Sequence, residues 1–103
     1  MKLSSVISMC HIKSKILFKS DFRVKGITNN SKKMKENFIF AAIQGKKFDG
    51  HKFLEDFNHL ENFAIISNSK NKVFRYLKKI PKNFSLIETN HPIKLCNEIA
   101  SLI

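Results

Sequence analysis

Phe38-Ile39-Phe40-Ala41-Ala42-Ile43 and Phe63-Ala64-Ile65-Ile66 are continuous apolar runs, and Phe84-Ser85-Leu86-Ile87 is nearly one. A strand with one wet face alternates polar and apolar residues, so runs like these fit strands covered on both sides. The intervening segments switch to helical spacing. Phe53, Leu54, Phe57 and Leu60 fall on one side of residues 51–60, and Val73, Tyr76, Leu77 and Ile80 on one side of a helix that Pro81 ends. Pro92 suits the first turn of a last helix, with Ile93, Leu95, Cys96, Ile99 and Leu102 facing inward. Strands alternating with helices predict an α/β fold, a small mostly parallel or mixed sheet flanked by helices.

The N-terminal part is less regular. Residues 3–10 have Leu3, Val6, Ile7 and Cys10 on one helical face, opened by Ser4 or Ser5, and residues 11–21 show no clear period. Phe22-Arg23-Val24-Lys25 alternates and ends at Gly26, which reads as a strand. Thr28-Asn29-Asn30-Ser31 is a turn cluster, and Gln44 to Gly50 is a polar loop bracketed by Gly45 and Gly50. With 103 residues, no linker and no repeat, the chain reads as one domain, 22–103, preceded by a helical lead-in, 1–21.

The net charge of +11 suggests a polyanion partner, but the basic residues are 17 Lys and only two Arg, Arg23 and Arg75. Surfaces that read phosphates or bases in fixed geometry favour the Arg fork. Lys, Asn, Ile and Phe, which together make up nearly half the chain, share A/T-rich codons. The charge therefore reads mainly as a solvated surface under codon bias, and nucleic acid is the weaker alternative.

Cys10 and Cys96 are too few for a disulfide framework and sit among apolar neighbours, which suits a reducing cytoplasm. His11, Lys13 and Lys15 interrupt the N-terminal apolar stretch, and no run suits a membrane span. The expectation is a cytoplasmic chain with no membrane partner.

Chemical motifs are sparse. His51 and His59 lie two helical turns apart, His91 and Cys96 are five apart, and Cys10-His11 are adjacent, so none has zinc-ligand spacing. A metal site is not expected, and neither are catalytic residues. Gly45-Lys46 is followed by Lys47 where a phosphate loop needs Ser or Thr, and Phe40 stands where it needs Gly.

Three blocks carry more information: Gly26-Ile27-Thr28-Asn29-Asn30-Ser31-Lys32, then Phe38 to Gly45, then Asp49-Gly50-His51-Lys52-Phe53. Their order and spacing over roughly residues 22–102 resemble the N-terminal, UDP-binding domain of the Mur ligases. These ATP-dependent enzymes add amino acids to UDP-N-acetylmuramoyl peptides in peptidoglycan biosynthesis. The pattern is most similar to the third-step UDP-N-acetylmuramoyl-dipeptide ligases, and the fourth-step ligases share much of it.

The resemblance implies that Asn29 and Ser31 contact the UDP moiety and that Lys46, Lys47 and Phe48 line the same site. Backbone N–H groups, a hydroxyl and two Lys suit a diphosphate. Asp49 would shape the loop by bonding backbone, and Gly50 by tolerating positive φ. Asn30 and Lys32 replace the pattern's Asp and Arg, Lys35-Glu36-Asn37 replaces a Pro-Gly-Asp turn, and Glu61-Asn62 replaces Gly-Ala. The family uses ATP and Mg, but its Gly-x-x-Gly-Lys-Thr loop falls beyond Ile103, so no cofactor is expected in this chain. The implied reading is a substrate-binding part of a ligase, inactive alone, whose partners are UDP-N-acetylmuramoyl-dipeptide and a separate chain carrying the ATP domain. A small nucleic-acid-binding module and a non-binding remnant are the alternatives.

Overall fold

In the computed structural model, which describes residues 1–18 and 20–103, the apolar runs form the middle of a five-stranded sheet. The strands are β1 (Lys15–Leu17), β2 (Gly26–Thr28), β3 (Phe38–Ala41), β4 (Phe63–Ser67) and β5 (Phe84–Glu88), in the order β1-β5-β4-β3-β2. From β2 to β5 every pairing is parallel, and β1 adds antiparallel to β5 with Lys15 opposite Glu88. The mixed α/β sheet expected from the sequence is what forms.

Strand alternation divides the core into two layers. Ile39, Ala64, Ile66 and Ile87 face α1 (Leu3–Ser8), α3 (Pro92–Leu102) and the extended residues Phe22 and Val24. Phe40, Phe63, Ile65, Phe84 and Leu86 face a 3-10 segment (Gly50–Phe57) and α2 (Lys70–Leu77). Every residue of β4 is buried, as its unbroken apolar run requires. Phe40 meets Phe57 edge-on at 4.8 Å, and Phe63 stacks on Phe84 at 5.7 Å.

Several local expectations are corrected. The strand falls at Gly26–Thr28 rather than at 22–25, where Arg23 makes only a single bridge to Lys2. The alternation there is nonetheless used, since Phe22 and Val24 enter the core while Arg23 and Lys25 stay exposed. Neither Ser4 nor Ser5 opens α1; the cap position is Lys2, without a side-chain bond. Instead the Asp21 carboxylate accepts from Ser4 N–H at 3.0 Å and Ser4 Oγ at 2.7 Å, supplying the missing cap from across the chain. Helix α2 ends before Pro81, at Lys78 with φ 65°, and Ile80 is exposed. Ile93 also points outward, whereas Leu95 and Ile99 are buried.

Residues 50–57 adopt 3-10 geometry rather than the expected helix over 51–60. His51, Leu54 and Phe57 recur every third residue and are all buried, the period at which a 3-10 turn eclipses its side chains. Asn37 (φ 66°) and Asn62 (φ 55°) take left-handed conformations just before β3 and β4, where the family pattern has glycine-containing turns. Asparagine tolerates that region, and the backbone ladder continues through both: Asn37 N–H donates to Asn62 O, and Asn62 N–H to Asn83 O, each at 2.7 Å. Among the described residues no helix is long and apolar enough to cross a membrane.

Candidate functional site

Because β2 to β5 run parallel, the segments following Thr28, Ala41, Ser67 and Glu88 all emerge at one edge of the sheet. Ligands of open parallel sheets bind at this carboxyl edge. The turn after β2 is built by its own side chains. Thr28 Oγ1 accepts from Asn30 N–H, and Asn30 Oδ1 accepts from Lys32 N–H, both at 3.0 Å. Asn30 thereby caps the short 3-10 turn Ser31–Lys33. An amide does here what the pattern's Asp would do for the backbone, without its charge.

The segment after β3 is a small hairpin. Gln44 and Asp49 pair across it, Gly45 N–H donates to Phe48 O at 2.6 Å, and Gly50 N–H donates to Ile43 O at 2.9 Å. Lys46 and Lys47 occupy the tip. No glycine in the chain has positive φ, so Gly50 is not needed for a left-handed backbone. It is needed for close approach: a Cβ there would lie 3.1 Å from Ile43 N and 3.3 Å from Ile43 O.

The structure brings the two loops together. Asn29, Asn30, Ser31, Lys32, Phe48 and Phe53 line a cleft of about 350 Å³. Lys46, Lys47 and Lys52 line a second, about 320 Å³, which shares Phe48 with the first. A third, about 340 Å³, shares Asn29 and runs toward α3 between Ile43, Ile93 and Cys96. Burial pushes the Cys96 thiol up to about 11, leaving it a weak nucleophile. Phe48 is 56% exposed, lies 5.5 Å from Phe53 and shares its cleft with the lysines. Among the described residues, Ser31 Oγ, Lys46 Nζ and Lys47 Nζ make no hydrogen bond within the chain, and no three His, Cys, Asp or Glu side chains converge as a metal site.

Behind the hairpin lies a polar network that sequence reasoning did not find. His51 is fully buried; its Nδ1–H donates to the Asp49 carboxylate Oδ1 at 2.7 Å, and its Nε2 lies 2.6 Å from Ser67 Oγ, whose hydroxyl is also 3.2 Å from Ser69 O. Asp49 Oδ1 also accepts from His51 N–H at 3.0 Å, and Asp49 Oδ2 from Lys72 Nζ at 3.0 Å. Burial works to raise the Asp49 carboxyl pKa, but these hydrogen bonds, from His51 and Lys72, prevail and hold it at about 2. The Ser-His-Asp order suggests a hydrolase triad, yet Ser67 is buried and also accepts from Ser69 N–H at 2.9 Å, so it cannot reach a substrate. The network locks the 3-10 segment to the end of β4. Its signal in the sequence was the histidine of Asp-Gly-His, whose partner at Ser67 lies on another strand. His59, its counterpart in the metal reading, is exposed.

Residues 23–72 match the family model described as Mur ligase family, catalytic domain. The chain is similar to proteins named UDP-N-acetylmuramoyl-L-alanyl-D-glutamate--2,6-diaminopimelate ligase. That of Aquifex aeolicus (strain VF5) is 46% identical over 44 residues, 43% of this chain and 9% of the relative. That of Rickettsia prowazekii (strain Madrid E) is 43% identical over 56 residues, 54% of this chain and 11% of the relative. That of Rickettsia typhi (strain ATCC VR-144 / Wilmington) is 34% identical over 64 residues, 62% and 12%. The matched stretches thus span about a tenth of these relatives' length.

Proposed function

From a chain that carries a Mur ligase family segment at residues 23–72, we propose a substrate-holding role in peptidoglycan biosynthesis. The chain binds the uridine diphosphate end of a UDP-N-acetylmuramoyl peptide and contains no ligase chemistry of its own. The observation that carries this reading is the meeting of the Asn29–Lys32 turn and the Gly45–Phe48 hairpin in one cleft at the carboxyl edge. Lys46 and Lys47 supply charge for the diphosphate, Ser31 a hydroxyl, and the exposed ring of Phe48 a platform for a flat base. The named relatives act on a UDP-muramoyl dipeptide, and the matched stretch contains both loops.

ATP and Mg, which the family resemblance implies, do not fit the residues present. The hairpin lacks the glycines and the Ser or Thr of a phosphate loop, and among the described residues no three His, Cys, Asp or Glu side chains gather to hold a metal ion. In this proposal the ATP-dependent step belongs to another polypeptide segment or chain, and the protein acts in the cytoplasm, where the nucleotide precursor is made. Beyond the lysines at the clefts (Lys32, Lys46, Lys47, Lys52), exposed lysines are spread over the end of α2 (Lys78, Lys79), β1 (Lys15) and α3 (Lys94), so the charge is not confined to one face as a nucleic-acid surface would require.

Isothermal titration calorimetry with UDP and with uridine tests the reading. UDP should bind, and Lys46→Ala/Lys47→Ala should weaken UDP by about tenfold or more while leaving uridine nearly unchanged. A folded protein that takes up no UDP at millimolar concentration would refute it.

A further inference from the structure

Lys72 stands where an ordinary helix would avoid a cation. It is the third residue of α2, a first turn that contains Lys70 and Lys72 and no acidic residue, close to the positive end of the helix dipole. Its ammonium is only partly exposed and turns to the hairpin, donating to Asp49 Oδ2 at 3.0 Å and to Gln44 Oε1. Gln44 and Asp49 are the two stem residues that pair across the hairpin. One side chain from a separate helix therefore ties both feet of the loop that carries Lys46, Lys47 and Phe48. Asp49 continues the connection through His51 to Ser67 at the end of β4.

Little else fixes the tip. Its backbone closure is the Gly45–Phe48 bond, and Phe48 contacts Phe53. An ammonium with three donors can hold two oxygen acceptors at once, and bonds to a charged carboxylate are the stronger kind. Remove it, and the Gln44 amide loses its tie to α2 while Asp49 keeps only its His51 partners.

We propose that Lys72 is a positioning residue for the nucleotide loop, aligning the Gly45–Phe48 hairpin over the Asn29–Lys32 turn without itself contacting the ligand. The proposal rests on the nucleotide-binding reading above. Its role is distinct from that of Lys46 and Lys47, which face the cleft.

The test combines nitrogen-15 NMR of the ligand-free protein with calorimetry on Lys72→Met and Lys72→Arg. In Lys72→Met the amide signals of Gly45 to Phe48 should shift and broaden, while those of β4 and α3 stay in place. Affinity for UDP should fall about tenfold, and affinity for uridine should fall with it, because Phe48 is displaced along with the lysines. Lys72→Arg, which can still span both acceptors, should restore the amide signals and most of the affinity. Hairpin amides that do not move in Lys72→Met would overturn the proposal. So would a loss confined to UDP, which would make Lys72 a phosphate contact. Should Lys72→Met not fold, Gln44→Met cuts one of the two ties from the exposed hairpin, and the same signature is expected at smaller amplitude. If the wild-type protein binds neither ligand, the nucleotide reading fails while the amide signals still decide whether Lys72 orders the loop.

Discussion

Asp49→Asn keeps the shape of a side chain that caps the 3-10 segment and removes its charge. Asp49 is only 12% exposed, so its interactions are weakly screened. Its carboxyl titrates at about 2 in the folded protein against an ordinary 3.8, a difference worth about 2 kcal/mol. Because the folded value is the lower one, this stability is fully present above pH 3.8. It is lost as the pH falls through about 2, once the carboxyl is protonated in both states. Urea unfolding of wild type and Asp49→Asn at a series of pH values reads it directly. Asp21 and Glu98, whose carboxyls are also held low, titrate in both proteins and cancel in the difference. Wild type should be about 2 kcal/mol the more stable from pH 7 to 5, with the gap closing as the solution reaches pH 2. A gap that persists unchanged at pH 2 would show that shape, not charge, is what Asp49 contributes. No gap at pH 7 would refute the argument outright.

Gly50→Ala should cost about 1–3 kcal/mol in urea unfolding, because the added Cβ presses on the Ile43 backbone, which has no rotamer to escape through. Asp21→Ala should cost about 1 kcal/mol and, in amide hydrogen exchange, release Ser4 and the rest of α1 while β4 stays protected.

The central strands and α3 were legible because their signal is local: an apolar run needs covering on both faces, and Pro92 marks a helix start. Strand β1 was not, since Lys15-Ile16-Leu17 has no period of its own and becomes a strand only by pairing with β5. The resemblance named both loops of the cleft, and folding places Asn29, Ser31 and Phe48 around it. The polar network behind them stayed hidden because its members come from four elements. His51 reads alone as a surface or metal-ligand histidine, and only tertiary contact supplies Ser67 and Lys72. Gly50 was rightly singled out but for the wrong physical reason, since crowding leaves no mark on sequence that differs from a need for positive φ.

The pairing of β1 with β5 joins the first segment of the chain to nearly the last. Thr89 Oγ1 donates to Lys13 O at 2.9 Å, Ser85 Oγ to Ser20 O at 2.6 Å, and the Glu98 carboxylate accepts from His11 and Ile12 N–H. On a ribosome, therefore, residues 1–18 emerge early but cannot be seated until β5 and α3 have been made. Until then the apolar side of α1 lacks Leu95 and Ile99 of α3, and β4 lacks one of its two neighbours. The interval in which these apolar faces lack their full cover lasts until β5 and α3 have left the exit tunnel, and it is then that aggregation or proteolysis threatens most.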